Sequence, residues 1–201
     1  LIIEEREILM NNVLSVELIR RIQLKENILM DSVLIIIGSM LVAISSQLAL
    51  YLPFSPIPVT GQTFAVFLCG AVLGSRRGGL SLSLYFLEGA IGLPVFAGGR
   101  GGMAVLFGPS AGYLVGFIPA AFLVGALAEI GFDRHWYSML FAFFFGQVVI
   151  YLFGVMRLLS FVHDEQIIKI GVIPFLIGDA IKAGILVILL PSSWKLINKR
   201  R

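Results

Sequence analysis

Four charged side chains lie inside or beside long apolar runs of this chain, where an ionisable group is expensive and therefore a functional candidate. Asp179 and Lys182, in "GDAIK", stand three residues apart and share one face of a helix. As a mutually neutralising pair they let an apolar helix insert. Turned toward a cavity, they bind a polar solute, the ammonium taking an anion and the carboxylate accepting from an N–H donor. The residues alone leave both readings open. Arg157 lies near the end of its run and reads as an anchor whose head snorkels to the membrane surface. Glu88, in "YFLEGAIG", needs either a basic partner or a cavity. Arg100 is the single charge in "GLPVFAGGRGGMAVLFGPSAGY", residues 92–113, a glycine-dense stretch that elsewhere would suggest a phosphate cradle.

Several chemistries are disfavoured on the same residues. "GPSAG", 108–112, formally matches the G-x-S-x-G nucleophile elbow, which needs a strand before it, a nearby histidine and an oriented carboxylate. The two histidines, His135 and His163, are expected on opposite sides of a membrane, so an intramembrane serine hydrolase built on Ser110 is the disfavoured alternative. Pro109 and Ser110 read instead as a helix opening, with Ser110 satisfying free N–H groups. G-x-x-x-x-G-K-[ST] does not occur, so the chain hydrolyses no ATP by that route. Cysteines and histidines form no cluster, so no metal or cofactor is expected. Cys69, the single cysteine, reads as a small core residue.

The elements that position these residues follow from composition. Hydrophobic residues make up 58% of the 201 and charged residues 13%, about half the usual charge of a soluble domain. That describes an all-α polytopic membrane protein. The net charge of +3 is scattered, which leaves nucleic-acid binding without a basis. A span needs about 20 apolar residues, and six are expected: 28–52, 62–74, 80–94, 109–130, 136–160 and 167–190. The second is short, and "RRGG" is expected to make the turn between the second and third. The prolines of "LPFSPIPVTGQT" end the first. Residues 1–27 are expected to form either an amphipathic surface-lying helix or a loosely ordered cytoplasmic tail without a cleavable signal. Residues 28–191 form the membrane domain and 192–201 a basic cytoplasmic tail. Ser39, Ala43 and Ser46 make a small-residue stripe on the first span, suited either to internal packing or to docking another subunit.

Arg20, Arg21, Lys25, Arg76, Arg77, Arg134, Lys195, Lys199, Arg200 and Arg201 all fall on one side of this topology, whereas Arg100 and Lys169 fall on the other. By the positive-inside rule both termini are cytoplasmic and the glycine hairpin faces out. Aromatics near the outer ends, among them Tyr85 and Phe96, suit an interfacial belt or the wall of a pocket for a flat ligand.

In order and spacing, "IPVTGQTFAVFLCGAVLGSRRGGLSLSLYF", "GAIGLPVFAGGRGG", "LFGPSAGYLVGF" and "IPFLIGDAIKAG" resemble the BioY family, the substrate-binding membrane (S) component of energy-coupling-factor biotin transporters. The resemblance runs from about residue 30 to 190. It implies six helices with a ligand cavity open to the outside, in the bacterial inner membrane. It also implies biotin capture and handover to a transmembrane coupling (T) subunit with two ATPase subunits, some members working without those partners. The chain itself would not be an enzyme. By resemblance Asp179 and Lys182 inherit ligand contact from the family's GD-x-x-K, and Arg100 occupies the middle of a GG-x-GG hairpin that lies against the ligand. Leu114 stands where some members carry a basic residue, and Glu88 where an apolar one is more usual. The expected substrate-binding set is Asp179, Lys182, Arg100, Phe96, Tyr85, Gly99, Gly101 and Gln62. Biotin's carboxylate would meet Lys182 or Arg100 and its ureido N–H groups Asp179, with loop 53–62 and the glycine hairpin as a lid. Another small vitamin on the same architecture is the alternative ligand.

Overall fold

The structure is a computed structural model and describes residues 13–21 and 27–199. A short helix α1 (Leu14–Arg21) is followed by α2 (Ile28–Ser46), a two-residue antiparallel pair β1 (Ala49–Leu50) and β2 (Val59–Thr60), and α3 (Gln62–Ala90). After the glycine-rich segment come α4 (Met103–Phe107), α5 (Ala111–Glu129), α6 (Trp136–Leu158), α7 (Ile167–Gly171) and α8 (Ile173–Lys199). Among the described residues, α2, α5, α6 and the run Ile167–Lys199 are long and apolar enough to cross a membrane. Their outward faces are apolar, as with Ile36, Met40, Phe144, Leu152 and Ile188. Large apolar surface left outside by closely packed helices is what a hydrocarbon solvent selects.

The segments expected as the second and third spans form the two arms of α3, which fold back on each other at Gly74. Gln62 and Tyr85 are 23 positions apart, about 35 Å along a straight helix, yet the Gln62 amide donates to the Tyr85 hydroxyl at 2.5 Å. Gly74 takes φ 87°, the left-handed region that a side chain disfavours. The turn therefore falls at Gly74 and not at "RRGG", and the second arm begins at once with Ser75. Its first N–H is met by Glu129, which accepts from Ser75 N at 2.7 Å and also from the Ser75 hydroxyl at 2.8 Å. Gly78 is helical and serves close packing: a Cβ there would lie 2.9 Å from the Gly70 Cα of the other arm. The same use of small residues seats Gly125 of α5 on the Gly74–Ser75 backbone and Gly116 of α5 on α6.

One end of the bundle gathers most of the basic residues. Arg77 pairs with Asp31 at 2.7 Å, the Trp194 indole N–H donates to Asp133 at 2.5 Å, and Arg134 lies 4.8 Å over the Trp194 ring. Helix α1 buries Leu14, Val16 and Ile19 at this end, and Arg21 donates to the Ile197 carbonyl. Over Leu14–Arg21, then, the N-terminal segment is a packed amphipathic helix; residues 1–12 and 22–26 lie outside the described residues. The expected tail from 192 is helical as far as Lys199, continuous with α8 through Pro191. The first span ends six residues earlier than expected, because Ala49–Leu50 leave the helix to pair with Val59–Thr60.

Candidate functional site

The end opposite the basic cluster holds a partly enclosed cavity. It is built from β2 and the start of α3, the glycine hairpin, α5, α6 and α8. Asp179 and Lys182 occupy one wall. The Lys182 ammonium donates to Asp179 Oδ1 at 3.2 Å and to Thr63 Oγ1 at 2.7 Å, and the Tyr151 hydroxyl donates to Asp179 Oδ2. The pair is thus both an internal ion pair and part of the cavity lining. With Arg100 added, the wall carries a formal charge of +1, which favours a monoanionic ligand.

The glycine hairpin is held as a rigid flap by hydrogen bonds. Phe96 N donates to Arg100 O at 2.9 Å and Gly102 N to Gly89 O at 2.7 Å. Gly99 N donates to Gln47 Oε1 at 3.0 Å. Arg100 Nε donates to Ala97 O at 3.0 Å, and the guanidinium lies 5.8 Å over the Tyr51 ring. Phe96, Ala97 and Arg100 therefore face the cavity, joined by Ile57, Pro58 and Thr60 from the 53–61 loop.

Of the expected set, Asp179, Lys182, Arg100, Phe96 and Gln62 line the cavity together. Tyr85 sits one layer behind. Its hydroxyl is spent on Gln62 and on Val95 O at 3.1 Å, and its ring meets Phe96 edge-on at 5.5 Å. Gly99 and Gly101 are not among the lining residues: the first bonds Gln47 and the second packs on the Gly92–Leu93 backbone. Ser39 and Ser46 are buried, while Ala43 is half-buried. Ser39 donates to Glu88, which answers what that carboxylate partners, and Ser46 to Val95 O at 2.6 Å. Arg157 is more than a surface anchor, since it donates to Phe107 O at 2.6 Å and covers Phe161 at 5.0 Å. Ser110 stands at the start of α5 without a side-chain capping bond and lines the cavity instead. His135 opens α6 at the far end. Among the described residues no group of three or more His, Cys, Asp or Glu converges.

A model of the BioY family matches residues 15–199. The chain belongs to the BioY family. It is 46% identical over 132 residues to a protein named biotin transporter BioY from Thermotoga maritima, covering 65% of this chain and 77% of that one. A biotin transporter BioY from Rhizobium etli is 37% identical over 161 residues, 76% of this chain and 86% of its own. The crystal structure of the S-component for biotin from an ECF-type ABC transporter superposes with a TM-score of 0.71 at 26% identity, over 83% of this chain and 92% of that one.

In this BioY-family chain the cavity also uses residues that the sequence did not single out. Thr63 bonds Lys182, Tyr151 bonds Asp179, and Gln147 lies one turn before Tyr151 on α6. Tyr113, Phe117 and Phe175 supply flat apolar wall. A polar Gln147 inside an apolar span was the one available signal, and attention to formal charges alone passes over it.

Proposed function

We propose that this chain is the biotin-binding S component of an energy-coupling-factor transporter, capturing biotin at the outer face of a bacterial inner membrane. Handover to a coupling subunit and two ATPases follows from the same reading, which is supported by the names of its relatives and of its structural neighbour. The observation that carries it is that Asp179, Lys182 and Arg100 line one cavity together with Phe96, Phe117 and Phe175. Six crossings, counting each arm of α3 as one, fit the Gly74 turn, and cytoplasmic termini fit the basic end.

Biotin has a ureido ring at one end, an apolar thiophane and valeryl middle, and a carboxylate at the other end. Asp179 and Lys182 touch each other, so they serve a single end. The ureido ring is assigned there, its N–H donating to Asp179 and its carbonyl accepting from Lys182. The carboxylate then falls to Arg100, the other cation of the wall, and the middle to the aromatic faces. Uptake of labelled biotin tests this in cells whose own biotin uptake is deleted and which express the chain with a coupling subunit and ATPases. Accumulation that disappears in Asp179→Asn/Lys182→Ala supports the reading. Full uptake by that variant, or uptake only of a different vitamin, refutes it.

A further inference from the structure

Gln147 is a second polar feature of the same cavity, and its hydrogen bonding is incomplete. It is 7% exposed, on an otherwise apolar stretch of α6, and its side-chain carbonyl Oε1 is buried without a partner. An amide oxygen left so is destabilising, which points to a partner that arrives with the ligand. The polarity of the surrounding bonds fixes which way the amide faces. Asp179 accepts, so the Tyr151 hydroxyl spends its proton on Asp179 Oδ2. The Tyr151 oxygen is then an acceptor, and the Gln147 amide interacts with it one helical turn away. That interaction uses the NH₂ end and leaves Oε1 as a free acceptor.

Gln147 borders two spaces: the cavity, and a groove between α6 and α8 lined by Leu140, Phe144, Val148 and Leu176. Apart from Gln147 itself, Tyr137, Tyr151 and Asp179, the groove presents apolar side chains, whereas the cavity is more polar and is where a solute would enter, so the cavity is the side from which the missing donor comes.

We infer that Gln147 Oε1 accepts a hydrogen bond from the captured ligand and is a specificity-determining residue for cyclic ureas. Asp179 and Gln147 are two acceptors linked through Tyr151, with the Lys182 donor beside Asp179. Two acceptors and one donor match in number the two N–H groups and the one C=O of a ureido ring. The inference rests on the biotin reading of the site but adds a residue to it. A site that leaves Gln147 Oε1 unpaired rejects ligands lacking the second N–H more strongly than apolar contact alone does.

The test is calorimetric binding to the purified full chain of biotin and of its two N-methyl regioisomers, each blocking one ureido nitrogen. Gln147→Leu and Gln147→Met are expected to weaken biotin binding on the order of 10- to 100-fold. For one regioisomer, wild type and variants should bind alike, because the donor Gln147 meets is already gone. Equal weakening of biotin and both regioisomers would assign Gln147 a structural role and overturn the inference, as would unchanged biotin affinity. Wild-type protein that does not bind biotin would refute the biotin reading itself, and this inference with it.

Discussion

Replacing Lys182 by Met leaves Asp179 buried with Tyr151 as its remaining partner, and two different properties should respond. Both side chains of the pair are largely buried, 13% and 8% exposed, with Nζ and Oδ1 3.2 Å apart. At an effective dielectric of about 20, two unit charges at that distance attract by about 5 kcal/mol. Desolvation offsets much of this while the pair is intact, so the pair itself contributes little net stability. Removing one partner uncovers the other's burial cost, about 3–5 kcal/mol. Lys182→Met should therefore lower the thermal midpoint of the purified protein sharply and weaken biotin binding. Adding Asp179→Asn removes the stranded charge: the double variant should regain most of the wild-type midpoint, yet still fail to bind biotin. Thermal unfolding in detergent and titration calorimetry on the same samples read the two properties separately. If the double variant recovered both stability and binding, the pair would serve insertion alone. If Lys182→Met lost no stability, the burial argument itself would be wrong.

Three further outcomes follow from the packing. Gly89→Ala places a Cβ within the Phe96 ring, so Phe96 must leave the cavity wall, and biotin affinity should fall by tenfold or more in calorimetry while the helical circular dichroism signal is kept. Gly78→Val drives a branched side chain into the Gly70 backbone of the facing arm, and overpacking of this kind costs about 1–3 kcal/mol or more, read as a lower unfolding midpoint; Ser83→Val, away from that seam, serves as the control. Asp133, in the connection outside the spans, is fully buried, and burial pushes its carboxyl from 3.8 up to about 6 despite the Trp194 hydrogen bond and nearby Arg134. Between these values the folded state holds a proton that the unfolded state has released. Its contribution thus favours folding at low pH and is lost as pH rises through about 6, by about 3 kcal/mol at most. Asp133→Asn should flatten that part of the stability profile measured by thermal unfolding from pH 4.5 to 7.5.

Long apolar runs carried much of the architecture in the sequence, because hydrocarbon imposes length and composition directly. Turn placement was less legible. "RRGG" looked like a turn since glycine pairs usually are, but Gly78 is there for close approach between two helical arms, and the turn needs only Gly74. Asp179, Lys182 and Arg100 were visible because charge in an apolar chain is conspicuous. Tyr85 was expected at the ligand and lies behind Phe96, since no linear pattern distinguishes the first layer of a wall from the second. Thr63 on α3 lies far in sequence from Gln147 and Tyr151, which share one face of α6, and only the fold brings the three together around Asp179 and Lys182.

Titration of the purified full chain with biotin tests the central claim most directly. Saturable binding at one site per chain, abolished in Asp179→Asn/Lys182→Met while the protein stays folded, is the predicted result. No binding by the wild type, or unchanged binding by that double variant, would contradict it.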